Sequence, residues 1–570
     1  MVEEVELKNS DELIKIDENF KLTAGPGSGK TRFLINHIHN VINNSTKLKN
    51  GRKIACITHT NVAVDEIKKR LESSVNEVET TTIHSFLYKH VVKPYLWTVA
   101  TEFGLNINSL HLIKEAIPSY SLLPTKLKWM VKDKKTQTLY SLLKKIKWIY
   151  EDGELKLKID ENKLPNSYLK EYKKKCWEKN LLTPDDILFF SYHILNKHSK
   201  IGEILNIKYP YIFLDEFQDT SSLQSEIIKL LLKTGTIIGI IGDYAQSIYK
   251  FQGADVSSFL NFDNNAKFNK YILKNNHRSN ETIVNILNHI RQDNFKQKCC
   301  KPKNKQTIPP TILVGKNIIA YKYTEKALSH NTFYSLSYKS FHIKDLKFEL
   351  EHENEISYID WKEMDNIFET DSNYHRQKII HYTILAIESF RNKNIKDSIK
   401  FMKFAYKEYF DDNYTILMNL FQLNSKYDEF INLSITEFYN NYIHNIIKKH
   451  KINSAKVREY YDKYEYIDFA LNLDKSNDST KFRTIHSCKG EEFVTVALFL
   501  KSENDLEFLL NPNINNETHR IYYVALSRAE ENIVINVPKL NKNKKNTLKK
   551  IGFNVVYLNE LDYKPQMEIL

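Results

Sequence analysis

The sequence predicts an α/β fold in which parallel sheets carry helices on both faces. Three observations predict it. Short apolar runs of strand length recur at FKLTA (20–24), KIACIT (53–58), YIFL (211–214) and IIGII (237–241). Helical patterns separate them, one from about Thr31 to Ile42 and another through VAVDEIKKRLE after the second run. Glycine is scarce, with 14 in 570 residues, yet Gly25, Gly27 and Gly29 cluster at the first strand-to-helix turn. Runs that are apolar throughout fit strands covered on both faces, and strands alternating with helices fit parallel pairing.

At 570 residues the chain exceeds one ordinary core, and roughly three or four domains are expected. The net charge of +13 favours an anionic partner such as nucleic acid. Part of the lysine stands among asparagine and isoleucine, a general compositional bias. No apolar stretch reaches the ~18 residues of a membrane span. The N-terminus, MVEEVELKNSDELIK, is acidic and has no apolar signal-peptide region. The five cysteines, Cys56, Cys176, Cys299, Cys300 and Cys488, form no CxxC pair. These features point to a reduced, cytoplasmic protein without membrane contact and without a zinc or iron–sulfur site.

Two segments interrupt the α/β rhythm. Residues 88–187 read as helical and lysine-rich, with Trp97, Trp129, Trp148 and Trp177 spread among the charges. Residues 350–475 also read as helical, rich in Tyr, Lys and Asn and devoid of glycine. Strand-like runs return at 482–486, 494–500 and 532–537. The expected organisation is a first core from 1–87 and 188–275, an insertion at 88–187, a second core from 276–349 and 476–570, and a smaller insertion at 350–475. The lysine run at 541–550 reads as a solvated face.

The segment AGPGSGKT (24–31) lies between a strand and a helix, the setting a phosphate-binding loop requires. Ala24, Gly25, Pro26, Gly27, Ser28 and Gly29 are small enough for successive backbone N–H groups to curl around phosphates. Lys30 would reach the β- and γ-phosphates, and the Thr31 hydroxyl would ligate Mg²⁺. Such a loop needs an acidic partner at the end of another strand, and YIFLDE (211–216) supplies it. Asp215 would hold Mg²⁺, and Glu216 would polarise an attacking water as general base.

With DEFQDT (215–220) added to these, the chain resembles the UvrD/Rep/PcrA helicases of superfamily 1, and the likeness runs from residue 22 to residue 537. The motifs run in family order: AGPGSGKTR (24–32), ITHTNVAVDEI (57–67), TTIHSF (81–86), LDEFQDTSSLQ (214–224), IGDYAQSIYKFQGA (241–254), NNHRS (275–279), RTIHSCKGEEF (483–493) and RIYYVALSRA (520–529). The resemblance implies two RecA-like cores, with residues 88–187 and 350–475 standing where the family has its 1B and 2B subdomains.

It also implies roles. Gln246 would sense the γ-phosphate. Arg278 and Arg528 would be arginine fingers reaching ATP from the second core. Glu492 would hold the ribose, Arg32 matches the arginine after the P-loop threonine, and His277 stands where the family stacks a tyrosine on adenine. Thr58, His59, Asn61, Thr82, His84, Phe86, Tyr249, Phe251 and His486 would form a DNA track. Taken alone, Tyr249 and Phe251 read as core aromatics; within the motif they read as stacking platforms.

Departures from the family are specific. No glutamine precedes Lys30, where the family reads adenine. His59 replaces a phenylalanine, and Phe251 and Gln252 replace tryptophan and arginine. The expected activity is an ATP-dependent, Mg²⁺-dependent translocase or helicase on single-stranded DNA and single-strand/duplex junctions, moving 3′→5′. The compact size, the small second insertion and HVVKPYL (90–96) are also similar to the helicase-type subunit of Gabija anti-phage systems. That likeness implies an alternative, a DNA-end-sensing nucleotidase acting with a nuclease subunit. The triplet Asp562-Tyr563-Lys564 resembles a nuclease motif but lacks the upstream acidic residues, and reads as a chance match.

Overall fold

The computed structural model describes residues 4–559 except 117–121, 126, 129–142, 144, 160–163, 264–266, 303–307, 329–331, 352–370, 372, 408, 411 and 474–480. Trp129 and the 562–564 triplet lie outside the described residues.

Two parallel sheets organise the chain. The first has seven strands in the order Glu4–Glu6, Asn269–Leu273, Phe20–Ala24, Ile237–Gly242, Tyr211–Leu214, Ile54–Thr58 and Val78–Thr82. The second has six, in the order Phe482–Thr484, Phe333–Ser337, Phe493–Phe499, Ala529–Val537, Thr311–Val314 and Asn554–Tyr557. Every pairing in both is parallel. Alternate residues of the first sheet serve opposite faces, as the two-residue strand period demands. Ile57, Ile212, Leu214, Ile238 and Ile240 join one apolar cluster, and Cys56, Tyr211, Phe213, Ile237 and Ile241 another. The second sheet divides likewise, with Val496, Leu498, Ile533 and Ile535 on one side and Ala497, Phe499 and Val534 on the other. These are the two RecA-like cores. No helix among the described residues is long and apolar enough to cross a membrane.

Residues 88–187 depart from the all-helical expectation. Lys147–Glu151 and Glu154–Lys158 form an antiparallel hairpin. Its turn is Asp152-Gly153, with φ of 56° and 83°, the double positive φ of a tight hairpin turn. Lys114–Glu115 and Leu181–Leu182 add a short parallel pair. The helix Pro184–Lys197 crosses the 187/188 boundary, and its Leu188, Phe189 and Phe190 share one apolar cluster with the first sheet and with Trp148 and Trp177. The insertion is therefore packed onto the first core. The second insertion is helical, with Tyr374–Arg391, Ile395–Tyr406 and Asn413–Ser425 as its longest described helices. It has its own core, including Ile384, Met402, Leu420, Phe438 and Tyr466.

A buried ion pair pins the first insertion. Lys173 Nζ lies 2.8 Å from Asp186 Oδ1, with side chains 1% and 0% exposed. Asp186 also accepts from Trp148 Nε1 at 3.1 Å and from Thr183 N at 2.8 Å. Lys173→Met should cost about 3–5 kcal/mol locally, because it leaves a buried carboxylate without its cation. Hydrogen exchange across Asn166–Trp177 and Pro184–Lys197 measures this; wild-type protection in the variant would refute it.

Candidate active site

The strand Phe20–Ala24, inside the first sheet, delivers the chain into the turn before the helix Lys30–Asn44. Gly27 and Gly29 sit at φ of +68° and +85°, a region that side chains with a Cβ rarely enter. A Cβ on Gly27 would stand 2.7 Å from Arg278 Cβ, and one on Gly25 would stand 2.5 Å from Gln297 Nε2. The Ser28 hydroxyl donates to the Gly25 carbonyl at 2.7 Å and holds the turn closed. The helix N-terminus then points free N–H groups and a partial positive charge at the concavity.

Lys30 Nζ is buried, makes no hydrogen bond, and faces Glu216 Oε1 at 3.3 Å. Glu216 follows the strand Tyr211–Leu214 and holds φ at +52°. A non-glycine residue in that region has its side chain aimed by the fold at local cost. The Asp215 carboxylate accepts the Glu216 N–H at 2.9 Å. Burial, and then Glu216, raises Asp215. Burial opposes ionisation at Glu216 too, but Lys30 and Lys489 outweigh it and hold that carboxyl well below the usual range. Glu216 is thus an ionised base beside a buried cation.

The second core closes the other wall. Arg528 is 2% exposed. Its Nη2 donates to Gln246 Oε1 at 3.3 Å and to Ser527 Oγ at 2.8 Å. Arg278 Nη1 donates to the Ser527 carbonyl at 3.0 Å, and Nη2 pairs with Glu492. Arg278 Nε is buried without a hydrogen-bond partner. Burial, and then the adjacent Arg278, pulls Arg528 down to about 10. Lys489 reaches across to Asp219 and to the Gln246 carbonyl, the latter at 2.8 Å. Lys30, Arg278, Arg528 and Lys489 therefore converge on one pocket, and their mutual repulsion is relieved by a multiply charged anion.

A triphosphate fits here on three counts: the glycines held at positive φ before the helix, the buried Lys30 ammonium with no hydrogen-bond partner, and the repelling arginines. Mg²⁺ fits as well, since it takes one or two protein oxygens and completes its shell with water and phosphate. The Thr31 hydroxyl and Asp215 would supply that set, and no group of three or more acidic, His or Cys ligands exists among the described residues. His277 is exposed and its N–H donates to the Gly27 carbonyl at 2.9 Å. Arg32 is held by Asp11 through two 2.7 Å contacts, and Asn36 donates to the same carboxylate at 2.8 Å. Glu492, expected at a ribose, pairs with Arg278.

Four of the nine expected DNA contacts form one aromatic strip between the cores. His59 stacks on Tyr249 with centroids 5.3 Å apart and planes at 25°. Tyr249 OH donates to the His486 carbonyl at 3.2 Å, and Phe251 meets the His486 ring edge-on at 5.2 Å. Phe251 is 53% exposed, which makes it a surface platform and not a core aromatic. Lys489 Nζ lies 4.9 Å over the Tyr249 ring, so one side chain touches both the strip and the nucleotide pocket.

The other five are placed differently. Asn61 is exposed at the start of the helix Asn61–Leu71. Thr82 caps the helix Ile83–Leu87 by accepting from Ser85 N. His84 is pushed down to about 4 by burial and then by His59, so it is neutral at physiological pH. Thr58 and Phe86 are 2% and 1% exposed. Phe86 packs on His90 and Tyr209, so no face of it is open to a base. Its contribution is to support the turn that carries Thr82 and His84.

Several functional residues were not singled out by sequence. Asp219, Asp243 and Lys489 lie inside recognised motifs, where an unassigned charge was the available signal. Gln218 is another, donating to Glu216 and accepting from Asp243 N at 3.1 Å. Arg291 and Gln297 lie outside every motif.

Comparisons with known proteins find helicase relatives. Residues 8–267 match the family described as UvrD/REP helicase N-terminal domain. Residues 413–536 match the one described as viral superfamily 1 RNA helicase core domain. A probable DNA helicase II homolog of Mycoplasma genitalium is 23% identical over 617 aligned residues, covering 95% of this chain and 85% of its own length. ATP-dependent DNA helicase PcrA of Staphylococcus aureus is 27% identical over 49% of this chain. The Bacillus subtilis PcrA is 28% identical over 50% of it. These matches span 38% of each PcrA chain.

Proposed function

We propose, from the premise that this chain is a UvrD/Rep/PcrA-like superfamily 1 helicase, that it couples ATP hydrolysis between its two cores to 3′→5′ movement along single-stranded DNA. One observation carries the reading. Gln246 of the first core is held by Arg528 and Lys489 of the second, and Lys489 also lies on the Tyr249 face. A change at the nucleotide is thereby a change at the strip.

In this reading the P-loop amides and Lys30 bind the phosphates, and Glu216 accepts the proton of the attacking water. Gln246 orients that water, and Arg278 and Arg528 oppose the charge gathering on the transferred group. Thr31 and Asp215 would hold Mg²⁺, whose charge would offset that of the phosphates. When the arginines arrive the cleft closes, and when products leave it opens. Aromatic stacking at Tyr249 and Phe251 holds bases without regard to sequence. The 3′→5′ direction and the preference for single strands and junctions rest on family resemblance.

The test is nucleotide turnover with and without single-stranded DNA, followed by unwinding of 3′-tailed and 5′-tailed duplexes. Stimulation by the single strand and unwinding of the 3′-tailed substrate are expected. Phe251→Ala should weaken single-strand binding by about 1–3 kcal/mol, roughly 5- to 150-fold. Turnover indifferent to DNA would overturn the reading. Stimulation by duplex ends without unwinding would identify the alternative, an end-sensing nucleotidase that acts with a nuclease subunit.

A further inference from the structure

The helix Glu281–Arg291 and the segment that follows it touch both walls of the nucleotide pocket. Arg291, its last residue, is 1% exposed and donates through Nη1 to Asp243 Oδ1 at 2.8 Å. Its Nε straddles both oxygens of Asp293 at 3.0 Å, and its guanidinium lies 4.0 Å over the Phe295 ring. Asp243 is fully buried at the end of the strand Ile237–Gly242. Its other oxygen, Oδ2, accepts from Gln246 Nε2 at 2.9 Å. Further along, Gln297 Nε2 donates to the Pro26 carbonyl of the P-loop at 2.8 Å. Asn288, on the same helix, fixes the Gln297 backbone from both sides, at 2.8 and 3.0 Å.

We propose that Arg291 is a positioning residue for hydrolysis: it holds the Asp243 carboxylate through Oδ1, and Asp243 in turn, through Oδ2, fixes which way the Gln246 amide faces. The chemistry is one of donors and acceptors. An ionised carboxylate only accepts, so Gln246 must turn its NH₂ toward Asp243. Its carbonyl oxygen is then left facing Arg528 and the pocket. Without the buried guanidinium, the Asp243 carboxylate loses the donor that sets its plane, and Oδ2 is no longer held on Gln246 Nε2. Gln246 then gains a second, inverted orientation. Gln297 ties the P-loop to the same segment, so sensor and phosphate loop share one brace.

This inference rests on the hydrolytic reading above, and a double-mutant cycle separates the two. Arg291→Gln and Arg291→Lys are made alone and on Gln246→Ala, and kcat and KM are measured at saturating single-stranded DNA. Arg291→Gln should lower kcat about 10- to 100-fold with KM changed less than about threefold. Arg291→Lys, which keeps one charge on Asp243, should recover most of the rate. On Gln246→Ala, Arg291→Gln should add less than about twofold, because its route runs through the missing amide. Equal losses in both backgrounds would overturn the inference, as would a Gln246→Ala enzyme with wild-type kcat. Should Arg291→Gln fail to fold, Asp243→Asn, whose amide can donate as well as accept, carries the same cycle: a kcat loss that vanishes on Gln246→Ala supports the inference, and equal losses in both backgrounds overturn it. A wild-type protein whose turnover ignores DNA overturns the proposed function instead.

Discussion

Glu216→Gln should bind nucleotide normally and turn it over at least ~10²-fold more slowly than wild type. The substitution preserves shape: the amide occupies the same volume, and the backbone at φ +52° is set by the strand and turn around it. What it removes is the negative charge beside Lys30, 3.3 Å away. Lys30 and Lys489 keep the native carboxyl ionised against the pull of burial, so the base is poised without help from the solvent. A glutamine there neither accepts the water's proton nor balances the cations. Losing that balance leaves the site more positive, so affinity for an anionic nucleotide should be retained or rise. Turnover at saturating DNA and titration with a fluorescent nucleotide measure the two halves. A variant rate within about threefold of wild type would remove Glu216 from the base role.

The parts of this site legible in sequence are those where chemistry dictates a residue locally. Gly27 and Gly29 are needed for positive φ, Lys30 and Thr31 follow them directly, and Asp215-Glu216 ends an apolar strand. Central strands were legible for the same reason: YIFL and IIGII are covered on both faces, so every position is apolar. The edge strands EVE and VETTT, at Glu4–Glu6 and Val78–Thr82, have one side toward solvent and carry no such run. The hairpin Lys147–Lys158 was hidden by its lysines, although ELKLK alternates and Asp-Gly joins the two strands. Motif position located Phe86 and Thr58 near the strip, but which way a side chain points depends on what packs behind it. The contacts that link the cores join residues 270 and 282 positions apart, Asp219 with Lys489 and Gln246 with Arg528. No local periodicity encodes such pairs; they exist only once both sheets are folded and facing.

Arg528→Ala should slow hydrolysis by about 10³-fold or more while leaving single-strand affinity within a few-fold of wild type. The two arginines are built differently, and that sets the expectation. Arg278 is anchored by the Ser527 carbonyl and by Glu492, both of the second core, so part of its work is to hold the loop that carries Arg528. Of the two arginines, Arg528 is the one that contacts the Gln246 side chain, at 3.3 Å. Its removal takes away the charge proposed to oppose the transferring phosphoryl group and also the partner of the Gln246 oxygen. Arg528→Lys restores the charge without the planar fork, and should recover only part of the rate. The aromatic strip is held by His59, Tyr249 and His486, with Lys489 over Tyr249, and none of these contacts runs through Arg528. Hydrolysis and grip should therefore separate in this variant: a protein that holds the strand and scarcely turns over. Single-turnover hydrolysis and equilibrium binding to a labelled oligonucleotide test the separation. Parallel losses in both would mean that Arg528 shapes the cleft as a whole, and a hydrolysis loss below tenfold would mean that the charge opposing the phosphoryl group comes from Arg278 and Lys30 without it.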